Sequence, residues 1–161
     1  MGALNSRLNM AAQHQPSWWY CGTRPRSDDR YFENLCRILF QTGLNWAIVE
    51  KKWQTIKPAF CNFEVDRIAA FTDADVQQLL NDRGMIRNQY KLQAIIENAK
   101  QFHQIRLQYG SFQAYLDSFD KSSNYAEVIK ALSDRFERIG PTTAALFLHS
   151  VGENIKPKRM Y

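Results

Sequence analysis

Apolar residues recur at helical spacing along almost the whole chain, and alternation of period two is nowhere sustained. That pattern restricts the chain to an all-α fold. A first helix is read from Asp28 to Gln41, with Phe32, Leu35, Cys36, Leu39 and Phe40 on its inner face and a tight break at Thr42-Gly43. Asn45 caps a second helix carrying Trp46, Val49, Trp53 and Ile56, which ends near Lys57-Pro58. Two short helices follow, over 65–70 and beyond the cap Thr72, where Asp73 and Asp75 suit the positive end of the helix dipole. Gly84 closes this pair, and a long helix over 88–109 starts almost at once. A short helix over 111–119, a loop with Ser123 as cap and a helix over 126–138 lead to the last helical pattern. With no internal repeat or linker, the chain reads as a partly irregular N-terminal segment over 1–27, one helical domain over 28–155 and a basic tail over 156–161.

A chain of 161 residues that is 45% hydrophobic can build one real core and is short for two. A net charge of +5 favours a polyanionic partner, although an excess of that size also occurs on proteins that touch no nucleic acid. The three cysteines, Cys21, Cys36 and Cys61, include no close pair of the kind zinc ribbons use, which fits a reducing compartment. No apolar stretch approaches membrane-spanning length, and the N-terminus lacks the apolar core of a secretory signal. These features place the chain in the cytoplasm as a monomer without a membrane partner.

The most informative stretch is FERIGPTTAALFLHSVG, residues 136–152, where a glycine and a proline interrupt two apolar helical patterns. A helix, a tight turn on Ile139-Gly140-Pro141 and a second helix form a helix-hairpin-helix. Glycine lets a phosphate approach the backbone, while the N–H groups and dipole of the second helix favour its charge. Thr142 and Thr143 add hydroxyls there. Such contacts hold a nucleic acid in register without reading its sequence. The same residues also read as an ordinary inter-helix turn, with Gly140 as a C-terminal cap and Pro141 at the first helical position.

Three segments in order, YFENLCRILFQTGLNWAIVEKKW, RGMIRNQYKLQAIIENAKQF and FERIGPTTAALFLHSVG, resemble the DNA-3-methyladenine glycosylase I family of the helix-hairpin-helix DNA glycosylases. The resemblance runs from about Tyr31 to Gly152. It implies two all-α halves with a base-binding cleft between them, the hairpin on the backbone of double-stranded, damaged DNA, and a nucleotide flipped out of the stack before its glycosidic bond is cut. An alkylated purine is cationic and leaves readily, so stacking and a carboxylate that favours positive charge supply much of the catalysis. No cofactor is implied.

By the same resemblance, Trp46 falls where the family sets an aromatic against the base, and Gln41 lies where related enzymes meet the DNA. Phe40 and Tyr20 are further candidates for the base pocket, Tyr20 as one of the adjacent aromatics Trp18, Trp19 and Tyr20 that also read as pinning the terminal segment onto the core. The family's pocket carboxylate stands eight residues before the matching tryptophan; in this chain that residue is Ile38. A branched alkyl group neither accepts a hydrogen bond from a base amine nor offsets a positive charge. Glu33, near in sequence to Ile38, is a candidate for a rearranged pocket and otherwise a surface charge. Many enzymes of the superfamily carry an aspartate well beyond the hairpin glycine; here the only acid nearby is Glu153, read either as a solvated helix-end residue or as a catalytic one.

The lysine nucleophile of bifunctional relatives is replaced by Thr142, which disfavours a Schiff base. DNA-backbone contacts are expected from Ile139, Gly140, Pro141, Thr142 and Thr143, joined by Arg87 and Lys91. Family members often join their ends through zinc on two cysteines and two histidines. This chain has His14 and Cys21 near one end and no cysteine or histidine after His149, so no zinc is expected. Loss of the acid leaves two readings on one scaffold: a monofunctional glycosylase for 3-methyladenine-type bases, or a non-catalytic DNA-binding or lesion-sensing protein.

Overall fold

The structure, a computed structural model, describes residues 16–156. Eight α-helices and one 3-10 turn make up the regular structure of these residues, with no strand. They are α1 (Asp28–Gln41), α2 (Trp46–Ala59), a 3-10 turn (Cys61–Phe63), α3 (Val65–Ala69), α4 (Asp73–Leu80), α5 (Gln89–Tyr109), α6 (Phe112–Asp117), α7 (Ser122–Arg135) and α8 (Pro141–Ser150).

Side-chain caps start most of the helices whose onset matters for the site. Ser27 accepts from the Arg30 N–H, Asn45 from Ala47, Asn88 from Lys91 and Ser111 from Ala114, each supplying an acceptor that the first turn lacks. Helix α1 is more deeply enclosed than its expected inner face implies. Besides Phe32, Leu35, Cys36, Leu39 and Phe40, it buries Tyr31, Asn34, Arg37, Ile38 and Gln41, because other elements surround it on several sides. The 21-residue α5, about 31 Å long at 1.5 Å per residue, is the second spine. Phe32, Phe102, Phe112, Phe136 and Phe147 interleave their rings where α1, α5, α6 and α8 converge. A second aromatic cluster joins Phe40, Trp53, Phe60, Phe63 and Phe71.

Two departures from the sequence reading share a cause. Cys61, Asn62 and Phe63 hold φ values of 52 to 57°, and Ser123, Asn124 and Tyr125 hold 54 to 65°. These are left-handed turns made without glycine. Phe63 and Tyr125 are buried there, and Asn124 grips the backbone of Lys156 through both atoms of its amide, at 2.8 Å each. Tertiary contacts thus hold a backbone that local propensity disfavours. The regular part of α7 begins after Tyr125, as read, but the helix stops at Arg135 rather than at Arg138.

The segment 16–27 has no helix and runs across the end of α8. The Tyr20 N–H donates to the Ser150 carbonyl at 2.8 Å. Gly152, at φ +85°, lies so close to this segment that a Cβ would stand 1.8 Å from the Thr23 carbonyl oxygen. No helix among the described residues is long and apolar enough to cross a membrane.

Candidate functional site

Two helices meet at the hairpin as read, with Pro141 at the first helical position, but Gly140 does not cap the helix before it. Phe136 leaves the helix in an extended conformation, and the left-handed residue of the turn is Arg138, at φ +59°, not the glycine. Gly140 is extended, at φ −83° and ψ 177°, and serves as the N-cap of α8 rather than as a C-terminal cap of α7. A Cβ built on it meets nothing within 4 Å. Nothing inside the protein requires glycine there; what its absence of side chain leaves is open space in front of the first turn of α8.

That turn carries no acid, begins with Pro141, which has no N–H to satisfy, and exposes Gly140, Pro141 and Thr142. Ile139 instead anchors the turn, its side chain buried in the core. Asn98, buried in α5, fixes the hairpin from below: its Nδ2 donates to the Glu137 carbonyl at 3.1 Å and its Oδ1 accepts from the Glu137 N–H at 2.7 Å.

The start of α5 and the end of α1 flank this turn. The Arg138 guanidinium lies 6.0 Å from the ring centroid of Tyr90, which is 71% exposed, and Arg87 is exposed as well. Lys91 corrects an expectation. It is buried, and its Nζ donates to the carbonyls of Phe40, at 3.0 Å, and Thr42, at 2.5 Å, so it completes the C-terminus of α1 instead of reaching outward to phosphate. Burial, and next the Arg138 charge, pull its ammonium below the usual lysine range.

Leu44, in the α1–α2 connection, and Trp46 and Ile48, in the first turn of α2, are exposed. Gln41 is buried with its Oε1 lacking any donor among the described residues. Phe40 is a fully buried core residue set edge-on to Trp53 and Phe60. Ile38 is likewise enclosed, at 1% exposure.

A cavity of about 450 Å³ opens elsewhere, between segment 16–27 and α1. Trp18, Trp19, Tyr20, Glu33, Asn34 and Arg37 line it. Two candidates from distant parts of the reading, Tyr20 and Glu33, therefore meet in one place. Burial, and next the Glu33 charge, push the Tyr20 phenol upward, so the phenol stays protonated. Glu33 accepts from Arg30, at 3.1 Å to each oxygen, and from Lys57 at 2.9 Å. Asn34 donates to the carbonyl and hydroxyl of Ser150 at 3.3 Å, and Trp19 packs edge-on against His149 of α8. The aromatic segment read as a pin on the core thus also forms a wall.

Arg37 is the residue that sequence reasoning missed. Its guanidinium sits 4.8 Å from the ring centroids of both Trp18 and Trp53, and it is 9% exposed. On its far side lies a second cavity, about 630 Å³, lined also by Glu50, Trp53 and Lys57. The available signal was an arginine inside an otherwise apolar run of α1.

Glu153 is neither solvated nor free. At 7% exposure, its Oε1 accepts from Arg24 at 2.6 Å, and its Oε2 accepts from Lys121 at 3.2 Å and from the Tyr125 hydroxyl at 3.0 Å. Arg24 and Lys121 both also hold Asp117. This network joins the N-terminal segment to the chain beyond α8. Among the described residues no group of three or more histidine, cysteine or acidic side chains could hold a metal ion, and His14 lies outside them.

Residues 4–145 match the methyladenine glycosylase family. DNA-3-methyladenine glycosylase of Haemophilus influenzae is 31% identical over 157 residues, covering 86% of this chain and 83% of that protein. DNA-3-methyladenine glycosylase 1 of Escherichia coli is 33% identical over 108 residues, 67% of this chain and 56% of the relative. Among solved structures, a 3-methyladenine DNA glycosylase I superposes with a TM-score of 0.72 at 27% identity, over 92% of this chain and 96% of the other. A variant of such an enzyme in complex with 3-methyladenine shares the fold at a TM-score of 0.73 and 23% identity, over 88% and 89% of the two chains.

Proposed function

The chain belongs to the methyladenine glycosylase family, and from that premise we propose that it excises alkylated bases of the 3-methyladenine type from double-stranded DNA as a monofunctional N-glycosyl hydrolase. The observation that carries the reading is the family match along nearly the whole chain, joined to an open, acid-free hairpin at one end of α8 and an aromatic cavity at the other.

The exposed first turn of α8 grips a phosphate through its N–H groups, and the clamp of Asn98 on Glu137 keeps that turn in place under load. Arg87 and Arg138 add positive charge beside it. Gln41 and the exposed apolar residues Leu44, Trp46 and Ile48 stand at the α1–α2 connection, where an extruded base first loses its neighbours; Trp46 offers it a stacking face. An alkylated purine weakens its own glycosidic bond, so water completes the reaction with little help from an acid. Thr142 at the hairpin offers no amine, and the reaction ends at the abasic site without strand cleavage.

The test is release of free bases from methylated duplex DNA by the purified protein, resolved by chromatography, with Trp46→Ala as control. Release that disappears in the variant supports the enzyme. Salt-dependent duplex binding without release would replace it by the lesion-sensing reading that Ile38 motivates.

A further inference from the structure

Three buried donors on the wall of the cavity behind segment 16–27, and a fourth beside the second cavity, have nothing to donate to. Arg37 Nε, Trp18 Nε1, Trp19 Nε1 and Trp53 Nε1 have no hydrogen-bond acceptor among the described residues, and Trp18, Trp19 and Arg37 line the 450 Å³ cavity. Buried polar groups in folded proteins are nearly always paired, so a cluster of unpaired donors marks a place where an acceptor belongs. The carboxylate of Glu50 stands 3.9 Å from Arg37 and is 57% exposed, too far for a hydrogen bond. The other acid on the cavity wall, Glu33, already serves Arg30 and Lys57.

The guanidinium is also held by shape. Two indole rings at 4.8 Å confine it from two sides, leaving its in-plane N–H groups as the only directions in which it can bond. Ile38, the next residue along α1, is enclosed in the core and gives the cavity no acceptor.

We propose that Arg37 is the specificity-determining residue of this cavity, and that among alkylated purines it selects those with a 6-keto, guanine-type edge over those with a 6-amino, adenine-type edge. O6 and N7 of a guanine-type base are two adjacent acceptors that match a guanidinium bidentately, whereas the 6-amino group of an adenine-type base places a donor against a donor. This assignment rests on the glycosylase reading above and moves its preferred base from an adenine-type to a guanine-type alkylated purine.

Two measurements on the intact chain separate the claims. In the first, duplex DNA carrying both N3-methylguanine and N3-methyladenine is treated with wild-type protein, Arg37→Lys and Arg37→Met, and the released bases are quantified. The wild type releases 3-methylguanine faster, by about tenfold or more, and both variants lose that preference, because lysine keeps the charge without the bidentate fork. In the second, free 3-methylguanine and free 3-methyladenine are titrated against tryptophan fluorescence, which needs no catalysis. Quenching by 3-methylguanine that weakens about tenfold in either variant, with an unchanged melting temperature for Arg37→Lys, supports the assignment. Equal release of both bases by the wild type, or a loss in the variants that is the same for both bases, overturns it while leaving the glycosylase intact. Arg37-dependent binding of free 3-methylguanine with no release of either base would overturn the glycosylase and keep the cavity's assignment.

Discussion

Replacing Glu153 by alanine tests whether this acid is a tie or a catalyst. The substitution removes a 7%-exposed carboxylate and leaves Arg24, Lys121 and the Tyr125 hydroxyl without it. Breaking a fully buried ion pair costs about 3–5 kcal/mol. Here the cost is reduced, because the Arg24 and Lys121 side chains are each 28% exposed and both keep Asp117. The buried Tyr125 hydroxyl loses its acceptor, a loss of about 1–3 kcal/mol by itself. Together these give about 2–3 kcal/mol, which for a chain of this size lowers the melting temperature by about 4–12 °C. Thermal unfolding followed by far-ultraviolet circular dichroism measures it, with Glu153→Gln, which keeps the shape and one acceptor, falling between. A shift below about 2 °C would refute the energetic argument. A fall in base release measured well below the melting temperature, at equal folded protein, would refute the assignment of Glu153 to structure alone.

Other perturbations bear on the face around the hairpin. Gly140→Leu has room for its side chain and an ordinary backbone conformation, so it leaves the melting temperature unchanged and weakens duplex binding alike across sequences; unchanged affinity in filter binding would show that no phosphate approaches there. Trp46→Ala, on a residue 40% exposed, lowers excision much more than binding, and equal loss of both would remove it from the stacking role. Lys91→Met lowers stability by about 1–3 kcal/mol through the orphaned carbonyls of α1 but keeps the salt dependence of DNA binding, whereas Arg138→Ala reduces that slope by about one; the reverse result would restore Lys91 as a phosphate contact. Arg24, and next Lys121, hold the Asp117 carboxyl below its ordinary range. A depressed carboxylate stabilises the fold above its unfolded pKa, about 3.9, and loses that contribution as pH falls below it. Asp117→Asn therefore flattens the acid side of a melting-temperature profile, and an unchanged profile would assign that side to other groups.

Helices were legible because the apolar spacing and capping residues agree with the tertiary fold: α1 has the bounds read for it, and Asn45, Asn88 and Ser111 start the helices that follow them. The left-handed turns at Cys61–Phe63 and at residues 123–125 were not, since they depend on distant packing and contain no glycine. Partnership was equally hidden. Nothing local distinguishes Lys91 on the carbonyls of α1 from Arg87 in solvent, or shows that Glu153 meets Arg24 across 129 positions of sequence. Arg37 stayed unnoticed because the two rings that frame it come from separate segments, one of them outside any helix.

That last arrangement has an evolutionary side. The wall bearing Trp18, Trp19 and Tyr20 is a short irregular stretch fastened near the end of α8 by the Tyr20 amide and the close approach of Gly152, and no helix of the core passes through it. Trp18 packs against the hydrophobic core as well as against Arg37 of α1, so a change of lesion by this route has to alter the irregular stretch and the core helix together.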